Sequence, residues 1–381
     1  MFEYFNLLVS DSHGGTMLLY TCIFFIACIL GSKVQHVASN GLHKFSMKTY
    51  ICLYCFLCAF YVFNDVGIDT EHYRSYYRHF VTTQDIVDNY GAVEKLYQYL
   101  NVFLHIFITN EYIGVGFIRM LQLAIFFIAI YKLRNRINIG FAIMAYMAFF
   151  YYDSFNLLRS SLAGSICILG MAFLYDKKYL LALLLSLLAY GFHHSAIFFI
   201  AAVLVYLFCY HTPAKKFKKV IPFVAVIGLF VVLNYGADII NQMLVADFAN
   251  GRYDYVVGTK GSSMGLFVLL KYSIPFYVLY MIKKDKKQRA DDVATWEIDL
   301  IWTILGFAIA LLAYQIGMLA RVAIYFSSAF IILLPRYIYS HELLINTRTT
   351  KIIYILYFIL MFVITIGGLY EISGLGPFKF V

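Results

Sequence analysis

The chain has 381 residues, of which 62% are hydrophobic and 13% charged, with a formal net charge of +9. A soluble domain carries about 25% charged residues, so this composition excludes a string of soluble domains and points to a polytopic membrane protein. The basic surplus sits in short loops between apolar runs, which is a signal of membrane topology and not of nucleic-acid binding.

The first 16 residues are mixed and acidic, with Glu3 and Asp11. No basic stretch precedes the first apolar run, so no signal peptide is expected. Apolar runs then predict membrane helices near 17–32, 49–63, 112–132, 138–153, 158–175, 178–192, 194–210, 219–235, 265–282, 297–316, 319–338 and 350–370. A straight crossing needs about 20 apolar residues, within a range of about 17–25. The shorter runs therefore have uncertain ends, and some are expected to be broken helices. The predicted fold is all-α: a single integral membrane domain over 1–381, with about twelve transmembrane helices. The seven cysteines all fall in apolar runs, and the Cys52, Cys55, Cys58 spacing places small residues on neighbouring positions of one helix face. Buried free cysteine packs as a small hydrophobe, so no disulfide framework and no metal site are expected.

Loop charge orients these spans. Lys33, Lys44 and Lys48 share one loop, and Lys132, Arg134 and Arg136 another. Lys177 and Lys178 follow, then Lys215, Lys216, Lys218 and Lys219, then Lys283, Lys284, Lys286, Lys287 and Arg289, and finally Arg336, Arg348 and Lys351. All these loops fall on one side if every span crosses, and the positive-inside rule makes that side cytoplasmic. Residues 94–109 (EKLYQYLNVFLHIFIT) break the alternation if they cross. They are predicted to form a re-entrant or interfacial helix on the outer side, where irregular backbone is tolerated against protein or a cavity. Residues 64–93 and 236–264 form two long outer loops. The short outer turns carry Asp153 and Asn156, then His193 and His194, then Gln315.

Polar residues at membrane depth are costly and mark function by default. Asn156 and Arg159 are three apart, so they share a helix face near the outer end. Ser160, Ser161, Ala163, Gly164 and Ser165 let that helix pack closely on its neighbours. The plain alternative for Arg159 is snorkelling to lipid headgroups. His193 and His194 occupy a tight outer turn, and at most one is expected to face a cavity; a histidine there is a candidate acid, base or donor. Arg321 and Tyr325 share a face at i, i+4, and a second arginine at the depth of Arg159 suggests an anion held by two guanidinium forks, such as a phosphate or pyrophosphate. The alternative pairs Arg321 with Asp153 or Asp69 for structure alone. Asp69 and Glu71 are the outer carboxylates best placed as a base or sugar contact, against the alternative of an acidic helix N-terminus. Arg119 and Lys271 are isolated cations within spans.

Five pieces in order, Gly67-x-Asp69-x-x-x-Tyr73, Glu94 with its aromatic run, Asn156-x-x-Arg159-x-x-x-Ala163, Phe192-His193-x-Ser195-Ala196 and Arg321-x-x-x-Tyr325-Phe326, span about residues 60–330. Together with size and span count, the chain resembles the EpsG-like, Wzy-type polysaccharide polymerases of bacterial envelopes. His194 fills a variable position of that pattern, and Ser160 stands where glutamine is common. The resemblance implies a lipid-linked glycosyltransferase of GT-C-like fold in the bacterial cytoplasmic (inner) membrane, with its active site facing the periplasm or cell exterior. It would join oligosaccharide repeat units carried on undecaprenyl pyrophosphate and release undecaprenyl pyrophosphate. Arg159 and Arg321, with Arg252, would stabilise the leaving pyrophosphate. His193 or Asp69 would act as the base. Asn156, Tyr325, Tyr73, Glu94 and Gln315 would bind substrate. With no metal motif in the chain, a cofactor-free, metal-independent, inverting reaction is expected. Partners would be the lipid-linked glycans, membrane lipid and a chain-length regulator, with no nucleic acid. A transporter or flippase of lipid-linked sugars would want polar groups through the midplane, and a polysaccharide ligase differs only in acceptor. An acyltransferase would need a reactive polar group nearer the cytoplasmic side, and none stands out there. A scaffold would leave the buried arginine pair unexplained.

Overall fold

The structure, a computed structural model, describes residues 13–37, 43–88, 93–211, 265–284, 290–313, 319–341, 347–372 and 374–379. In chain order these form α1 (His13–Val34), a two-stranded antiparallel ribbon of β1 (Gln35–Val37) and β2 (His43–Phe45), α2 (Met47–Val62), α3 (Thr70–His79), α4 (Thr83–Asp88), α5 (Lys95–His105), α6 (Glu111–Leu133), α7 (Ile139–Phe149), α8 (Asp153–Asn156), α9 (Leu158–Tyr175), α10 (Tyr179–Phe192), α11 (Ile197–His211), α12 (Gly265–Lys284), α13 (Ala290–Leu312), α14 (Leu319–Val322), α15 (Leu334–His341) and α16 (Thr347–Ile372). The predicted all-α class holds, with the short ribbon as its one addition among the described residues. Every expected span overlaps a helix except 219–235, which lies outside the described residues, as does the loop 236–264. Among the described residues, 6 helices are long and apolar enough to cross a bilayer. Others are shorter: α7 has 11 residues, about 16 Å at 1.5 Å per residue, against a hydrocarbon core of about 30 Å.

The bundle is built around α9. It packs on α6 and α10, and 89% of its residues are buried, as its small-residue stripe requires. Around this centre α1 lies on α7, α2 on α6, α12 on α13 and α16 on α7. Leu180, Leu187, Leu356 and Val363 stand exposed on outward faces; hydrophobic side chains in that position suit lipid contact.

The run expected as one helix over 319–338 is broken. A 3-10 turn covers Ala323–Phe326 and a π segment Ala329–Leu333. Pro335 supplies the reason: it has no amide proton, and its ring clashes with the carbonyl four residues back, which falls inside the π segment. The irregular winding sets the direction in which Arg321 and Tyr325 face.

The two ends of the bundle differ in chemistry. At one, residues 33–37, 43–46, 132–138 and 175–178 meet the helix residues 335–339. Gln35 donates to the Arg134 carbonyl at 2.7 Å, the Asn138 amide to that of Pro335 at 3.0 Å, and Lys132 and Arg136 both bind Asp176 at 2.5 and 3.0 Å. Helix α1 runs from there to the other end. There Phe378 donates its amide to Thr16 Oγ1 at 3.1 Å, Tyr20 donates to the Leu375 carbonyl at 2.6 Å, and the Gly67 amide to that of Gly374 at 3.0 Å. Among the described residues, the basic segments around 33–45, 132–136, 177–178 and 336 thus lie at the opposite end from Asp69, Asn156 and Arg159.

Candidate functional site

The polar end begins with a turn that only glycine permits. Gly67 has φ of +101°, and a Cβ there would lie 3.0 Å from the Phe155 carbonyl oxygen and 3.1 Å from Asn156 Cα. The close approach sets Asp69, which precedes α3, against α8. The Asp69 amide donates to Asn156 Oδ1 at 2.8 Å, and the Tyr73 hydroxyl to the Asn156 carbonyl at 3.1 Å. Arg119 locks the turn from below. It is fully buried in α6 and donates to the Asn64 carbonyl at 2.7 Å, Thr70 Oγ1 at 3.1 Å and the Phe155 carbonyl at 3.3 Å. An isolated cation in a span is therefore the fastener of the loop that carries Asp69.

The segment 94–109 contains an 11-residue helix, α5, too short to cross, packed on α3, α4, α6 and α10. Tyr97, Gln98, Asn101 and Leu104 face inward, while Tyr99, Phe103, Ile106 and Phe107 are exposed, an amphipathic pattern suited to a membrane interface. Gly191 of α10 makes room for it, since a Cβ there would lie 2.2 Å from Leu96 Cδ1. This contact brings the residue just before α5, Glu94, to the end of α10.

Glu94 is the hub. It is 6% exposed, and one carboxylate oxygen pairs with Arg159 at the start of α9. The other lies 2.8 Å from His193 Nδ1 and accepts the His194 backbone amide at 3.3 Å. Burial pushes the Glu94 carboxyl up, but Arg159 and the His193 hydrogen bond outweigh it and hold it well below the ordinary carboxylate range. Burial likewise pushes His193 below its ordinary value, against the opposing pull of Glu94. The resting pair is then a carboxylate and a neutral imidazole. Nδ1–H donates to Glu94, which leaves Nε2 with a free lone pair, the state a general base needs. The His194 ring is exposed and lies tilted against Tyr190 at 5.1 Å, so one histidine of the two faces the cluster.

Around this dyad, Arg159 lies over the Tyr76 and Tyr97 rings at 5.7 and 5.9 Å. The Tyr325 hydroxyl and Ser195 Oγ are 3.0 Å apart. Arg321 is the more open cation, with 36% of its side chain exposed and Asp69 at 3.8 Å. Arg159 and Arg321 both act electrostatically on His193 and on Tyr73, so the two arginines share one neighbourhood. Glu71, by contrast, is tied to Arg78 at 2.5 Å and Arg74 at 2.6 Å. It sits in the first turn of α3 and braces the outer loop.

Asp69, Tyr73, Glu94, Asn156, Arg159, His193, Arg321 and Tyr325 thus converge, while Arg252 and Gln315 lie outside the described residues. Such a cluster offers a fixed base, an ionised carboxylate behind it and a partly open guanidinium in front. At the opposite end Asp299, 2% exposed, binds Arg336 and accepts the Tyr175 hydroxyl. From composition and spacing alone, no reactive polar group stands out near that side. Asp299 hides inside an apolar run, and Arg336 counts there only as a loop charge.

No curated protein and no solved structure matches this chain. The sequence profile of the EpsG family matches residues 47–378, from the start of α2 to the segment that braces Gly67. The chain belongs to the EpsG family, and it is a membrane protein of polysaccharide synthesis.

Proposed function

We propose that the protein polymerises oligosaccharide repeat units linked to undecaprenyl pyrophosphate, at the outer face of the bacterial cytoplasmic membrane, within a bundle of about twelve crossings of GT-C-like type. The observation that carries this reading is the Glu94-held imidazole of His193 beside the open guanidinium of Arg321. The acceptor hydroxyl gives its proton to His193 Nε2 as its oxygen bonds to the anomeric carbon of the growing chain. The bond from that carbon to the pyrophosphate oxygen breaks, and undecaprenyl pyrophosphate leaves. One displacement inverts the anomeric centre. Glu94 fixes the imidazole tautomer and stabilises the imidazolium that forms, as a carboxylate does behind a catalytic histidine.

The geometry divides the arginines. Arg159 is compensated by Glu94 and acts mainly by keeping that carboxylate ionised. Arg321 meets the charge that grows on the pyrophosphate, with Asp69 as the group it releases on binding. Arg321 supplies the positive charge that meets the leaving group, and the reaction is proposed to run without a metal. Asn156, Tyr73 and Tyr325 make their hydrogen bonds to protein, and we assign them to shaping the sugar site.

The test uses purified full-length protein in detergent with the lipid-pyrophosphate-linked repeat unit of its host, with and without EDTA. A ladder of lengthening glycans is expected in both, and Arg321→Ala removes it at normal protein levels. A single transferred block without a ladder would instead assign a ligase. Transbilayer movement of the lipid-linked unit with no new bond would assign a transporter.

A further inference from the structure

Lys271 and Asp153 are two charged groups that the mechanism above does not use. Lys271 lies inside α12, and its ammonium rests on the rings of Phe149, Phe330 and Phe150 at 4.9, 5.2 and 5.9 Å. A cation within about 6 Å of a ring centroid is held by the negative face of the ring. Phe149 ends α7 and Phe150 follows it, just ahead of Asp153, while Phe330 belongs to the π segment downstream of Arg321. Helix α12 packs on that π segment. Lys271 is therefore wedged between the approach to Asp153 and the irregular run that carries Arg321.

Asp153 opens α8 and lines a cavity of ≈ 20 Å³ together with Gln122, Ser161, Ile324 and Ser327. About one water fits such a space. Ile324 and Ser327 sit on either side of Tyr325, in the same irregular run. Among the described residues, nothing donates a hydrogen bond to the Asp153 carboxylate and no cation pairs with it directly. Two cations act on it at longer range, Lys271 most strongly and then Arg321, and the charge that acts on Lys271 is that of Asp153. Such forces carry further in a low-dielectric interior than in water. Asp153 thus stands between a caged cation and a loose one, for Arg321 is 36% exposed and 3.8 Å from Asp69.

We propose that Lys271 is a positioning residue for the leaving-group site: its charge compensates Asp153, so that Asp153 does not draw Arg321 inward and the Arg321 guanidinium stays open to an anion. The proposal rests on the reading of Arg321 as the cation that meets the leaving group. Without the Lys271 charge, Arg321 becomes the cation left to compensate Asp153. A substrate that needs Arg321 must then pull it back, and its apparent affinity falls with the fraction of molecules in the open state. Saturating substrate restores that state, so the loss falls on KM and not on kcat.

Ladder formation by the full-length protein is measured against the concentration of the lipid-pyrophosphate-linked repeat unit. Lys271→Met suits the phenyl cage, since a thioether packs well on rings, and is expected to raise KM about tenfold or more, as loss of a charged contact implies, with kcat retained. Lys271→Arg keeps the charge and the wild-type KM. Lys271→Met with Asp153→Asn removes both charges and restores it. The same variants are read without turnover by phenylglyoxal labelling of Arg321, quantified by peptide mass spectrometry. Labelling is expected to slow in Lys271→Met and to recover in the double variant. A wild type that labels in this pattern and makes no ladder would fail the polymerase reading and leave the Lys271 assignment standing. Equal labelling of Arg321 in wild type and Lys271→Met overturns the proposal. So does a loss in Lys271→Met that Asp153→Asn does not restore, which would make Lys271 a direct anion contact or a packing residue.

Discussion

The two ends of α9 carry the same pair of groups for different purposes. Arg159 at its start meets buried Glu94, and Tyr175 at its end meets buried Asp299 with Arg336. Each is a carboxylate and a guanidinium sunk among helices, at sites about 24 Å apart by helical rise. The third member separates them. At the polar end it is an imidazole with one nitrogen fixed and the other available; at the basic end it is a phenol whose O–H donates a hydrogen bond to Asp299. A buried ion pair alone is weak evidence for either stability or function. What it holds in place decides.

Replacing the third member should break the comparison most sharply. His193→Ala is expected to lower the polymerisation rate by about 10²–10⁴-fold, the span of a lost general base, at unchanged protein level. Tyr175→Phe should cost about 1.5–3 kcal/mol of stability, as for a hydrogen bond to a charged group, with turnover per folded molecule intact. Rates from glycan ladders, normalised to folded protein, check both; equal activity losses would erase the distinction.

Next in size come the pairs. Asp299→Asn should destabilise by about 3–5 kcal/mol, because it leaves a cation uncompensated. An apolar double replacement, Asp299→Leu with Arg336→Met, should recover most of that and keep activity. Glu94→Leu with Arg159→Met should also recover stability and yet make no polymer. Melting in detergent alongside the ladder assay separates the outcomes, and a working Glu94/Arg159 double variant would demote the polar end to structure.

A smaller loss is expected from Gly67→Ala, about 1–2 kcal/mol for a side chain in a left-handed conformation, read as a lower melting temperature and weaker activity. Smallest is a shift in pH dependence. Burial lowers His193 and Glu94 opposes this, so the imidazole stays neutral and competent to below about pH 6.5, its ordinary value. The acid limb of the rate profile should therefore fall below that value. Glu94→Gln removes the group that raises the histidine, so the limb should move further toward acid as the plateau drops. A limb that moves toward neutral pH would mean that Glu94 does not act on His193.

Much of this was legible in the chain. The apolar runs marked the helices, the loop cations marked one end, and Arg159, His193 and Arg321 stood out because charge at membrane depth is rare. Glu94 stood out only through the family pattern, as a substrate-binding residue before the re-entrant segment, because its partners lie 65 and 99 residues away and no local spacing announces them. Asp299 was hidden by its apolar neighbours, and Arg336 by the rule that counts loop cations without asking which are buried. Nor does periodicity tell a regular helix from the 3-10 and π winding before Pro335, since the same apolar residues satisfy both.

The brace across Gly67 has a consequence for biogenesis. The turn that holds Asp69 takes its cross-links from Gly374 and, through Asp65, from Lys379. Those residues leave the ribosome only after every intervening helix has been synthesised. The early half of the chain can therefore dock its acidic loop only through Arg119 and Asn156, and the backbone brace is added once residues 374–379 are made. An insertion intermediate stalled before that point would hold most of the cluster's side chains and lack this second brace on the turn that carries Asp69.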